Sequence, residues 1–243
     1  MNQPPILELK DIVFAYPGSA PNLFDGLDFV LQENEGVGLI GPNGSGKTTL
    51  FYIIMGLITP EAGQVFFQGD HLKTDRDFVR LRRETGLVFQ DADDQLFSPT
   101  VLEDVAFGPL NLGASEKEAG DAALQTLADL GLAGYENRIT HHLSGGEKKL
   151  VSLATVLAMK PRTLLLDEPT NNLDPHTREK LLDILSHREE ARVIISHDWD
   201  FLSRTTERVC TLENGKLTSS QAYELHYHPH IHSHGDKPHH HDL

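Results

Sequence analysis

The chain has 243 residues, 39% of them apolar and 23% charged, with a formal net charge of −15 at pH 7. That length holds one large domain or two lobes sharing a core, and the acidic balance argues against a general affinity for nucleic acid, with Arg76, Arg80, Arg82 and Arg83 reading as a solvated helix face. A single cysteine, Cys210, excludes an internal disulfide, and the most apolar stretch, Leu50 to Ile58, falls far short of the roughly 20 residues of a membrane-spanning helix.

In chain order, MNQPPILELKD carries no basic region followed by an apolar run, so no signal peptide is expected. Residues 6–16 (ILELKDIVFAY) alternate in part and end at Pro17-Gly18, which predicts a strand and a turn. A second strand is predicted over 27–32. GVGLIG (36–41) is a short apolar run entering a glycine-rich turn, and TTLFYIIMGLI (48–58) follows with helical spacing. QVFFQG (64–69) and GLVFQ (86–90) read as two further strands. The stretch from about 92 to 160 is mostly helical: Ser115, with Glu118 three residues on, forms a capping box. A second helix there should run from about Gly146 to Met159 and stop before Pro161. TLLLDE (163–168) reads as a buried parallel-type strand, 175–189 as a helix, VIIS (193–196) as a strand, and 208–218 as a hairpin around Asn214-Gly215. The expected architecture is an α/β core with a helical subdomain inserted at about 92–160.

Gly41-Pro42-Asn43-Gly44-Ser45-Gly46-Lys47-Thr48 matches G-x-x-x-x-G-K-[ST] in full, between a predicted strand and a predicted helix. The glycines let the backbone curl so that several N–H groups face one anion, and the following helix adds its positive end. Lys47 supplies a cation for the terminal phosphates, and the Thr48 hydroxyl suits Mg²⁺, a hard cation that prefers oxygen. A second Mg²⁺ ligand is expected at the end of a neighbouring strand, where Asp167 stands, and Glu168 follows where a general base for water would sit. Leu143-Ser144-Gly145-Gly146-Glu147 is a second anion-binding pattern: the Ser144 hydroxyl, the Gly145 and Gly146 amides and a helix N-terminus. One chain therefore carries two elements for the same phosphate, about a hundred residues apart. A head-to-tail dimer, each LSGGE closing the other subunit's site, is the economical solution, and a two-fold arrangement encloses two nucleotides.

This set resembles the ATP-binding-cassette (ABC) family over residues 6 to about 218, and the resemblance implies a P-loop NTPase core with a β subdomain and an inserted helical subdomain. It implies a cassette ATPase domain over residues 1–222 that takes ATP and Mg²⁺. It places Tyr16 against adenine, Thr49 with the phosphate loop, and Gln90 and His197 at the γ-phosphate, with Gln90 also at Mg²⁺. Asn172-Leu173-Asp174 becomes a loop crossing the dimer interface. The segment VFQDADDQLFSPTV (88–101), continuing into EDVAFGPLNLG (103–113), is similar to the ATPases of energy-coupling-factor importers, particularly the cobalt and nickel branch. That likeness implies a transmembrane coupling subunit, a substrate-binding membrane subunit, and a peripheral place on the cytoplasmic face of the membrane. Longer relatives carry an extra C-terminal domain; here little structured chain is expected after residue 218.

From Tyr223 onward the composition changes to a histidine-rich, flexible tail (223–243). It holds His226, His228, His230, His232, His234, His239, His240 and His241, a set that can bind Ni²⁺ or Co²⁺, among other imidazole-seeking ions. The leading expectation is thus a transport ATPase for nickel or cobalt import, with a vitamin importer of the same class as alternative. A cassette ATPase acting on DNA or ribosomes is disfavoured by the acidic charge, by the single phosphate loop, and by the 53 residues between Gln90 and Ser144, too few for a long coiled coil. A storage protein built on an inactive cassette is disfavoured because every expected catalytic position is filled.

Overall fold

In the computed structural model, which describes residues 4–220, the chain forms two sheets. The first is antiparallel, in the order β2-β1-β4-β5, from β1 (Leu7–Phe14), β2 (Phe24–Leu31), β4 (Ala62–Phe67) and β5 (Asp70–Leu72). The second has the order β10-β9-β3-β8-β7-β6, from β3 (Gly36–Ile40), β6 (Thr85–Val88), β7 (Thr163–Asp167), β8 (Ala191–Ile195), β9 (Arg208–Glu213) and β10 (Lys216–Ser220). It is parallel except for β10, which returns antiparallel along β9 through Asn214-Gly215, both at positive φ. Strands β7 and β8 are buried at every residue, as the apolar runs Leu164–Leu166 and Val193–Ile195 suit in interior parallel strands.

Seven α-helices complete the described residues: α1 (Lys47–Ile54), α2 (Asp75–Glu84), α3 (Val101–Asn111), α4 (Glu116–Asp129), α5 (Gly145–Leu157), α6 (Pro175–Ser186) and α7 (Trp199–Thr205). The two-residue period of β7 divides the core. Leu165 joins one apolar cluster with Phe51, Ile53 and the antiparallel sheet, whereas Leu164 and Leu166 join the other with Val105, Leu127, Leu153 and Phe201. Helices α3 and α4 pack with α5, and α5 continues onto β6, so it ties the inserted helical block to the parallel sheet.

Several expectations are corrected. The first helix stops at Ile54 rather than 58, because Gly56 turns left-handed (φ 64°), its N–H bonds to Ile53 O at 3.0 Å, and the Phe78 ring lies where a Cβ would be. The helix expected over 175–189 ends at Ser186. Elements β5 and α7, three and seven residues long, were not anticipated, since pieces that short carry no periodic signal. The Ser115–Glu118 capping box is present, and three more stand at Thr74–Asp77, Thr100–Glu103 and Ser144–Glu147. The histidine-rich segment from residue 223 on, with its eight histidines, lies outside the described residues.

Candidate active site

The parallel register levels four strand ends along one edge. Leu39 pairs with Ile195, Asp167 with Ile195, and Leu166 with Val88. Side chains just past these positions therefore meet in a crevice at the carboxyl ends of the strands, where such sheets present their ligand sites. A cleft of about 820 Å³ opens there, lined among others by Tyr16, Asn43, Gly44, Gly46, Lys47, Thr48, Thr49, Gln90, Asp167, Glu168 and His197.

The loop between β3 and α1 is shaped by glycines that nothing larger replaces. Gly41 (φ 149°) lies so close to β9 that a Cβ would sit 2.3 Å from Leu212 O, and at Gly46 (φ 103°) it would sit 2.7 Å from the Phe24 ring. Lys47, 8% exposed, turns its ammonium back over the loop to Gly41 O (2.8 Å) and Pro42 O (3.1 Å). Burial lowers its pKa, and Glu168 and Asp167 oppose that shift. The Ser45 hydroxyl is buried with no hydrogen-bond partner among the described residues, a polar atom of the loop left for a ligand.

Thr48 Oγ1 donates to Asp167 Oδ2 at 2.6 Å, although 119 residues separate them. Asp167 is 3% exposed; burial raises its pKa, against the Thr48 hydrogen bond and the charges of Lys149 and Lys47. A hydroxyl and a carboxylate in contact at the phosphate loop are oxygen donors suited to Mg²⁺, which usually keeps waters and phosphate oxygens rather than a full protein cage. Among the described residues no group of three His, Cys, Asp or Glu side chains could hold a metal ion. Glu168 has left-handed backbone (φ 44°), uncommon for a residue with a Cβ, and its N–H bonds to Ile195 O at 2.9 Å. That turn brings Glu168 Oε1 to 3.4 Å from His197 Nε2. Burial raises the Glu168 pKa, with His197 the main opposing influence.

Tyr16 is 45% exposed, edge-on to Phe14 at 5.0 Å, and its hydroxyl shares a 2.9 Å hydrogen bond with Thr49 Oγ1. The other predicted residues stand apart from the cleft. Ser144 is the N-cap of α5, its hydroxyl accepting from Glu147 N. Gly145 and Gly146 open that helix, and a Cβ on Gly146 would meet Thr177 Oγ1 at 3.2 Å. Asp174 caps α6, accepting from His176 N and Thr177 N at 3.0 and 3.1 Å. Ser144, Gly146 and Asp174 thus form a second edge beside the cleft, and Gly145 faces the adjoining groove that also holds Gln90 and Asp167. Glu147 anchors this edge: it accepts from Ser144 N (2.8 Å), the Tyr135 hydroxyl (2.7 Å) and Arg138 (3.0 Å), which hold its carboxyl at about 2.

Sequence reasoning missed Thr170, Asn171, Ser196 and Asp198 as lining residues of the cleft. Thr170 and Asn171 follow Glu168 by two and three residues, and Ser196 and Asp198 flank His197, so closeness to the strand ends was the available signal.

Among the described residues no helix is long and apolar enough to cross a membrane. The ABC transporter family model matches residues 24–171. A protein of Nitratidesulfovibrio vulgaris named as an ABC transporter ATP-binding protein is 52% identical over 237 residues, covering 98% of this chain and 86% of that protein. The energy-coupling factor transporter ATP-binding protein EcfA of Methanothermobacter thermautotrophicus is 47% identical over 87% of this chain and 69% of its own length. Among solved structures, cbiO1 of Clostridium perfringens, described as part of the ABC transporter complex cbiONQ, superposes with a TM-score of 0.79 at 31% identity, covering 89% of this chain and 88% of that one. A dimeric ATP-binding cassette in a post-hydrolysis state with ADP and Pi superposes with a TM-score of 0.80 at 28% identity over 88% of this chain and 98% of that one.

Proposed function

The chain belongs to the ABC transporter family and is an ATP-hydrolysing subunit, and from that premise we propose that it powers an energy-coupling-factor type importer whose cargo is a transition-metal ion, nickel or cobalt. ABC ATPases act as dimers with transmembrane subunits. The observation that carries the reading of the site is the Thr48–Asp167 contact of 2.6 Å beside the Glu168–His197 approach of 3.4 Å, at the mouth of a complete phosphate loop.

In this reading the loop from Gly41 to Gly46 wraps the phosphates of ATP with its N–H groups and the Ser45 hydroxyl, while Lys47 leaves its carbonyl partners for phosphate oxygens. Thr48, Asp167 and Gln90 would hold Mg²⁺, which would supply neutralisation of phosphate charge when bound with ATP. Glu168 takes the proton of the attacking water at its carboxylate, raised in basicity by burial. His197, whose Nε2 lies 3.4 Å from Glu168 Oε1, would turn a ring N–H toward the γ-phosphate. Tyr16 stacks on adenine. Ser144, Gly145, Gly146 and Asp174 serve the cleft of a second copy, since Ser144, Gly146 and Asp174 do not line their own.

The metal cargo rests on the 88–113 segment, with support from the likeness to an EcfA protein named for energy coupling and to cbiO1 of the cbiONQ complex. The eight tail histidines, His226 to His241, are proposed to take up the same class of ion, on imidazole's preference alone. The protein is placed by this reading at the cytoplasmic face of the membrane, with a coupling and a substrate-binding membrane subunit. The test is co-purification of those partners and ATP-dependent uptake into vesicles, with Ni²⁺ and Co²⁺ in competition. Saturable uptake of either ion is expected; uptake of a vitamin with neither ion transported would overturn the cargo while leaving the ATPase intact.

A further inference from the structure

Beside the nucleotide cleft runs a groove of about 510 Å³, lined among others by Thr48, Gln90, Gly145, Lys149 and Asp167. One wall is the segment from Phe89 to Gln95, the other the first turns of α5. These walls are stitched by side chains that were not among the predicted site residues. The Lys149 ammonium donates to Phe89 O (3.3 Å) and, in a shorter contact, to Gln90 O. Gln95 closes the loop from its other end: Oε1 accepts from Phe89 N (3.2 Å), and Nε2 donates to Ser152 O and Thr155 Oγ1, both at 2.8 Å. Lys149, Ser152 and Thr155 recur at three-residue spacing, so they form one stripe of α5. A lysine there is not a solvated charge, because burial pulls its pKa down while Asp167, Asp91 and Glu168 oppose the shift. Its neighbour Lys148 reaches the same loop, pairing at 2.6 Å with Asp93, but its partner is a largely exposed side chain rather than the backbone at Gln90.

We infer that Lys149 and Gln95 are positioning residues for Gln90, clasping its loop to α5 so that the helix carrying Gly145 and Gly146 and the residue at the Mg²⁺ site move as one piece. The inference rests on the reading of Gln90 as an active-site residue. A charge-assisted hydrogen bond to the Gln90 carbonyl fixes the backbone from which its side chain departs. The Gln95 amide fixes the preceding residue through its N–H. Neither residue touches the reacting atoms, so the loss should fall on turnover rather than on nucleotide binding.

The experiment is steady-state ATP hydrolysis with Mg²⁺ by the full chain carrying Lys149→Met, Lys149→Arg, Gln95→Met, Lys148→Met, Gln90→Ala, or Gln90→Ala with Lys149→Met. Equilibrium dialysis of labelled ATP reports whether each variant is folded. For Lys149→Met, kcat is expected to fall at least about tenfold, the scale of a slight misplacement of a catalytic group, with KM for ATP within about threefold. Lys149→Arg should recover much of the loss, Gln95→Met should shift kcat the same way, and Lys148→Met, which removes only a side-chain pair from this loop, should shift it less than Lys149→Met. The double variant should be little slower than Gln90→Ala, because the two act as a unit. A Lys149→Met rate within about twofold of the parent beside a defective Gln90→Ala would overturn the clasp alone, as would a double variant in which the two losses multiply. Normal turnover in Gln90→Ala would remove the role of Gln90, and the clasp with it.

Discussion

Glu147→Ala tests how the edge carrying Ser144 and Gly146 is held. The substitution removes three hydrogen bonds at one point: from Ser144 N, the Tyr135 hydroxyl and Arg138. The Arg138 pair is half-exposed on its basic side and contributes at most about 1 kcal/mol. A carboxylate in the first helical turn contributes about 0.3–1 kcal/mol. The Tyr135 hydroxyl, part-buried and bonded to a charge, is the largest contribution, at roughly 1.5 kcal/mol. Together they amount to about 2–3 kcal/mol, a fall in Tm of about 4–12 °C for a domain of this size. Glu118→Ala is the control, because Glu118 makes only the capping box at Ser115 and should cost less than half as much. The pH dependence has a defined sign. The folded-state carboxyl of Glu147 is held down at about 2 from an ordinary 4.5, so its contribution is complete above about 4.5 and is lost as pH falls toward about 2. Thermal unfolding by circular dichroism, parent against variant, should show a gap that narrows over that interval. A gap equal to that of Glu118→Ala, or one unchanged down to about pH 3, would refute the assignment of these three bonds.

Glu168→Gln should keep ATP binding and lower kcat by about 10²–10⁴-fold, the usual contribution of a general base; it should also accumulate as an ATP-bound dimer in size-exclusion chromatography, and near-normal turnover would remove Glu168 as base. Mixing inactive Ser144→Arg chains with inactive Glu168→Gln chains should restore about a quarter of the parent rate, since random pairing makes half of the dimers mixed and each mixed dimer holds one intact composite site. No recovery on mixing would mean that each chain completes its own site. Gly46→Ala should abolish nucleotide binding, measured by equilibrium dialysis, because the position is left-handed and a Cβ would strike Phe24 at 2.7 Å; retained affinity would show that the loop relaxes around it.

What was readable in the sequence was what is contiguous. The phosphate loop, the run ending in Asp167-Glu168 and the LSGGE segment each carry their chemistry in neighbouring residues, and the apolar runs around them identify their strands. The clasp was not readable, because Lys149 bonds to backbone carbonyls some sixty residues away and any residue supplies a carbonyl. The Ser144 hydroxyl was read as an anion ligand from its glycine neighbours, whereas the capping pattern with Glu147 was equally present and explains its hydrogen bond in the structure. The end of α1 was misplaced because apolar spacing continues through Leu57 and Ile58, and only the packing of Phe78 on Gly56 shows that the backbone has already turned.

The register of the parallel sheet is what turns scattered motifs into one site. Gly41 stands two residues beyond Leu39, Gln90 two beyond Val88, Glu168 one beyond Asp167 and His197 two beyond Ile195, and these strand residues are linked by direct pairings. A one-residue slip of β7 would carry Leu165 out of one apolar cluster and Leu164 and Leu166 out of the other, and would also withdraw Asp167 from Thr48. Core packing and active-site geometry are therefore enforced by the same alternation, so apolar exchanges inside β7 and β8 are tolerable while insertions are not. The edge at Ser144 and Gly146 escapes this constraint. It is set by the caps of α5 and α6, and the Lys149 and Gln95 bonds tie it back to a strand end. Helix α5 also packs on β6 and shares an apolar cluster with Leu164 and Leu166, so a displacement of this edge would be felt at the sheet as well as at the Gln90 loop.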